Sequence, residues 1–105
     1  MPRKARLLRD RIKEEPYQLA SVTERMDMHK RVKVISCKST GKVHPQLDYY
    51  TSWKAIFKLD KEKHEYKFWY PMDDMIADSE LSRDEAIAEI AKLLCVCKAF
   101  EVETT

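Results

Sequence analysis

A chain of 105 residues with 44% hydrophobic and 36% charged side chains is one small domain, apolar enough to build a modest core and too apolar for wholesale disorder. No apolar run approaches the ~18 residues of a membrane span, and the basic N-terminus has no signal-like apolar region behind it. A single glycine excludes Gly-rich phosphate loops, and so small a domain has little volume for a deep cofactor cleft. The expectation is a cytoplasmic chain with no membrane attachment, organised as a basic N-terminal arm or short helix over residues 1–15 and a single α+β domain over residues 16–105.

The formal charge of +2 is unevenly distributed. Residues 1–70 carry 17 basic and 9 acidic side chains, net +8, whereas residues 71–105 carry 3 and 9, net −6. This asymmetry points to a polyanionic partner at the basic end, against the plainer reading that the two halves complement one another within one fold. Arg3, Lys4, Arg6, Arg9, Arg11 and Lys13 make the first stretch strongly basic, with only Leu7, Leu8 and Ile12 as sizeable apolar anchors, and Pro16 reads as a helix stop. Ser21 and Glu24 have the spacing of a capping box, although Met26, Met28 and His29 follow at no clean helical period.

Residues 31–38 are β-branched and predict a strand, followed by a turn-rich stretch between Ser39 and Asp48 that holds Gly41 and Pro45. Residues 49–59 alternate with period two, placing Tyr49, Thr51, Trp53, Ala55, Phe57 and Leu59 on one face and Tyr50, Ser52, Lys54, Ile56 and Lys58 on the other. A polar connector over residues 60–64 and a second alternating run over residues 65–70 complete a predicted hairpin. A short strand is expected near Met75 to Ala77, and a capping box at Ser82 and Glu85 opens a helix running to about Ala99. That helix is apolar on every side from Leu93 to Cys97, so it must be covered on every side.

Cys37, Cys95 and Cys97 read as reduced thiols in buried apolar positions. A zinc site with one of His29, His44 or His64 is disfavoured, because residues two apart on a helix point ~200° apart and no Cys-x-x-Cys knuckle exists. No catalytic signature is present, and His44, His64, Asp73 and Asp74 fall in turns and loops where such residues are commonly just solvated. Neither an enzyme, a metal nor a small-molecule cofactor is therefore expected.

The constellation that carries chemistry is the outward sheet face. Tyr50, Lys54, Ile56, Lys58, Lys67 and Trp69 fall opposite the face that packs on the helix. Aromatics interleaved with lysines suit single-stranded nucleic acid, the rings stacking on bases while ammonium groups follow phosphates. The competing structural reading buries Trp69 and Ile56 under the N-terminal segment as a second small core. The rival function is a protein-binding regulator or stoichiometric inhibitor, antitoxin-like or virus-encoded. It would act through a sheet edge or through Leu93, Val96 and Phe100 on the C-terminal helix, which also present a possible homodimer contact.

Two local resemblances bear on these readings. Residues 65–94, with Tyr70-Pro71 and then Ser82-Arg-Asp-Glu-Ala-Ile87, resemble the strand-loop-helix stretch of HicB-type antitoxins, without the glycine and second proline usual after that strand. The same helix is similar to the last helix of double-stranded RNA-binding domains, with Asp84 and Glu85 in place of the basic residues at its start. Neither assigns a family. The fold expected is α+β: a small antiparallel sheet of three to four strands packed against a C-terminal helix, with a basic N-terminal helix or arm.

Overall fold

A computed structural model describes residues 15–104. Residues 15–19 are helical, with Pro16 among them, so Pro16 does not act as the expected stop; the φ that its ring imposes is compatible with helical backbone. The helix over residues 15–19 runs across the proposed arm boundary between residues 15 and 16, while Arg3, Lys4, Arg6, Arg9, Arg11 and Lys13 lie outside the described residues.

Six elements follow in chain order: helix α1 (Val22–Arg31), strands β1 (Val32–Val43), β2 (Thr51–Leu59) and β3 (Glu62–Tyr70), and helices α2 (Met72–Ser79) and α3 (Arg83–Thr104). The capping box forms as its spacing predicts. The Glu24 amide donates to Ser21 Oγ at 3.1 Å, and the Ser21 amide donates to Glu24 Oε1 at 3.0 Å, which resolves the Met-rich stretch as a helix. Hydrogen bonding to the carboxylate from the Ser21 amide, and then from the Ser21 side chain, holds the Glu24 carboxyl below its ordinary pKa. The last turn carries His29, Lys30 and Arg31, the sign favoured at a helix C-terminus.

The strands form an antiparallel sheet in the order β1-β2-β3, with α3 packed on one face. β1 is longer than its β-branched core suggests. It continues through Gly41, which adopts φ +82°, so the expected turn-rich stretch contracts to residues 44–50. The register of β1 on β2 shifts twice, between Val34 and Ser36 and between Ser39 and Val43. The β2–β3 connection is also tighter than expected: Leu59 pairs with Glu62, leaving Asp60 and Lys61 as the turn. Asp60 carries φ 58°, a conformation that Asp tolerates better than most residues, and so the turn closes without glycine.

The strand expected near Met75 to Ala77 is instead part of α2. Asp73 and Asp74 occupy its first turn, and Glu80, at φ 61° and ψ 14°, ends it in the left-handed cap region. α3 begins where expected, with the Glu85 amide donating to Ser82 Oγ at 3.3 Å, but it runs on to Thr104.

The core lies between the sheet and α3 and is closed at one end by α1. Ala55, Phe57 and Leu59 of β2 meet Cys95, Val96, Ala99 and Phe100 of α3, with Met28 and Val32 beside them. Leu94 to Cys97 of the apolar girdle of α3 are buried, whereas Leu93 stays exposed. Full burial of one such side chain contributes about 1.5–3 kcal/mol, so the Phe57 cluster is the main anchor of the described fold. Among the described residues, no helix is long and apolar enough to cross a membrane.

Candidate nucleic-acid interface

The register decides which side chains share the face remote from α3. In an antiparallel pair, residues directly opposite one another project to the same side. Trp53, Ala55, Phe57 and Leu59 are buried toward α3, so their neighbours Ser52, Lys54, Ile56 and Lys58 point away. Lys58 pairs with Lys33 on one side and with Lys63 on the other. Lys54 pairs with Lys38 and with Lys67. The outward face therefore carries two transverse rows of three lysines, Lys33–Lys58–Lys63 and Lys38–Lys54–Lys67.

Between the rows runs a third line, Ser36–Ile56–Glu65. Beyond the second row lies Ser52–Trp69. Lys33, Lys38, Lys58, Lys63 and Lys67 are exposed, whereas Lys54, Ile56 and Trp69 are half-buried. Glu65 is the carboxylate of this face: its oxygens lie 3.4 Å from Lys54 Nζ and 3.8 Å from Lys67 Nζ. No described carboxylate pairs with the first row. Like charges placed directly opposite are destabilising, by roughly 0.2–1 kcal/mol per pair, so this face is built against the preference of an isolated sheet.

The aromatic half of the expected platform is reduced. Tyr50 precedes β2 and is completely buried, beside His44 and Tyr49, and so it is not available for stacking; this corrects its assignment to the outward face. Its displacement follows from the loop over residues 44–50, which folds back through hydrogen bonds from the His44 amide to the Tyr50 carbonyl and from the Tyr50 amide to the Leu47 carbonyl. Trp69 does lie outward, but the His44 ring meets it edge-on at 5.0 Å. Tyr66, Phe68 and Tyr70 point to the α3 side, where Tyr66 and Phe68 pack against the core.

Lys33, Lys38 and Lys63 are members of the face that the sequence reading leaves out. Lys33 and Lys38 have opposite parity, so strict alternation sends them to opposite faces. The register shift at Ile35 rephases β1 and returns both to one side. Lys63 belongs to β3 because the turn is shorter than expected.

The residues of the rival protein-binding surface separate. Leu93 is 48% exposed, but Val96 is completely buried and Phe100 is 9% exposed, and both belong to the core. They face the sheet and α1 and are not presented to a partner or a second copy, which corrects their assignment to an interface.

Other chemistry-bearing groups have structural roles. His44 Nδ1 accepts hydrogen bonds from the Gln46 and Leu47 amides, and His64 stacks on Phe57 with ring centroids 5.4 Å apart. Asp73 accepts a hydrogen bond from Arg83 at 3.2 Å. Burial raises the Cys37 thiol pKa and pushes Cys95 up to about 12, so neither is a ready thiolate. Among the described residues, no group of three or more His, Cys, Asp or Glu is arranged to hold a metal ion. Comparisons with protein-family models, with curated proteins and with solved structures found no match for the chain.

Proposed function

We propose that the chain is a nucleic-acid-binding protein that acts without catalysis, holding a phosphate backbone on the lysine face of its sheet. The observation that carries this reading is the pair of cross-strand lysine rows, among the described residues six ammonium groups on one face against the single carboxylate of Glu65. Such a face repels itself in the free chain and is neutralised by a polyanion. Phosphate contacts also release condensed counterions, which drives binding and makes it depend on salt.

The opposite side of the molecule suits this polarity. Beyond residue 70, nine Asp and Glu side chains stand against Arg83, Lys92 and Lys98, so the helical layer faces away from a polyanion while the sheet turns toward it. Arg3, Lys4, Arg6, Arg9 and Arg11 supply further phosphate contacts in this reading.

The test is fluorescence anisotropy with a labelled oligonucleotide between 50 and 300 mM salt, comparing the full chain with its Lys54→Ala/Lys58→Ala/Lys67→Ala variant. Binding persists at ~150 mM in the full chain, and the variant lowers the slope of log affinity against log salt by about two to three, at ~0.7–0.9 per lost phosphate contact. An unchanged slope, or no binding at ~150 mM salt, refutes the reading.

A further inference from the structure

We infer that the sheet face holds duplex DNA, with one phosphate backbone along each lysine row, and not a single strand; this rests on the nucleic-acid reading of the same face. Lys54 and Lys58 lie four residues apart on β2, which at ~3.3 Å per residue separates the two rows by about 13 Å. Each row crosses three strands, and at ~4.8 Å between strands it is about 10 Å long. The major groove of B-form DNA is ~12 Å wide. Each backbone presents successive phosphates along a row of this length. The lysine stems are flexible and absorb the remaining mismatch.

The line between the rows distinguishes a duplex from a strand. Ser36, Ile56 and Glu65 occupy it, so a single strand laid across the middle of the face meets a carboxylate and an aliphatic side chain where it needs cations. Two backbones, one on each row, leave Glu65 on the groove side of the second row, where it pairs with Lys54 and Lys67. Stacking is also poorly served. Tyr50 is buried, Tyr66, Phe68 and Tyr70 point to the α3 side, and Trp69 lies beyond the second row with His44 against its ring. A strand binder draws much of its affinity from successive base–aromatic stacks, and this face offers at most one.

The experiment titrates the full chain against three labelled probes of one sequence at ~150 mM salt: a 20-base-pair DNA duplex, one of its separated strands, and the corresponding RNA duplex. The DNA duplex is expected to bind at least tenfold more tightly than the strand and more tightly than the RNA duplex, whose major groove is deep and narrow. Replacing either row (Lys33→Gln/Lys58→Gln/Lys63→Gln, or Lys38→Gln/Lys54→Gln/Lys67→Gln) lowers the salt slope for the DNA duplex by about two to three. Circular dichroism confirms that both variants are folded, as expected for replacements on this solvent-facing side. Equal affinity for strand and duplex, or a row whose loss leaves the duplex slope intact, overturns the two-backbone inference while leaving nucleic-acid binding standing. Tighter binding of the RNA duplex overturns the match to the B-form groove. No binding of any probe overturns both readings together.

Discussion

Lys58 sits between Lys33 and Lys63 with no compensating carboxylate among the described residues, and it illustrates how stability and binding oppose one another on this face. Replacing it with threonine removes two like-charge cross-strand neighbours and introduces a residue well suited to a strand. We expect Lys58→Thr to raise stability by ~0.5–1 kcal/mol in a denaturant titration while weakening oligonucleotide binding. A variant that loses stability would show that Lys58 makes a packing contribution larger than its repulsion. Gly41 is a different kind of residue-scale feature. A Cβ there would meet nothing within 4 Å, yet φ +82° lies in the region that L side chains avoid, so its constraint is conformational and not steric crowding.

At the level of elements, Arg31 is the junction. Its guanidinium donates to Asp60 Oδ2 at 2.7 Å and to Glu103 Oε1 at 2.9 Å, joining the end of α1, the β2–β3 turn and the end of α3. The Asp60 amide also donates to the Arg31 carbonyl at 3.1 Å. Hydrogen bonding from Arg31 holds the Asp60 carboxyl below its ordinary pKa of ~3.9 and raises that of Arg31, which stays charged throughout the accessible range. Because the folded pKa is the lower one, the stabilising contribution is present above ~3.9 and is lost as pH falls through the depressed folded value. Asp60→Asn retains a residue tolerant of the left-handed turn while removing the charge. Its thermal midpoint should lie below the parent's near neutral pH, and the gap should close as the pH falls below ~4. Parallel profiles would show that the ion pair contributes nothing to folding; both partners are largely exposed, where such pairs are weak.

At the scale of the molecule, the chain has two sides of opposite character. The sheet presents lysines outward, and the helical layer is predominantly acidic beyond residue 70. The core between them uses Val96 and Phe100, which leaves Leu93 as the large apolar side chain exposed on α3. Leu93→Glu should therefore change the unfolding free energy by no more than ~0.5 kcal/mol, as expected for a surface site. Loss of folding would place Leu93 in the core. Conversion of a parent dimer to a folded monomer by the same substitution would mark it as a contact between copies.

What the amino-acid sequence determined by itself was local. Period-two alternation over β2 identified the buried series Trp53, Ala55, Phe57 and Leu59, and the Ser82–Glu85 spacing located the start of α3, because both signals depend on residues only two to four positions apart; the Ser21–Glu24 spacing fitted a cap, but the residues after it left α1 ambiguous. From these the α+β class followed. The expected strand at Met75 failed because a short apolar run does not distinguish helix from strand, and the run became α2. Only the tertiary structure decided the composition of the candidate site. The lysine rows depend on which residue of one strand hydrogen-bonds to which residue of the next, and the shift at Ile35 reverses the parity of everything after it. The two-residue turn at Asp60 and Lys61 then sets Lys63 opposite Lys58, and the fold of residues 44–50 buries Tyr50. Register is a property of paired strands, and no reading of one strand at a time contains it.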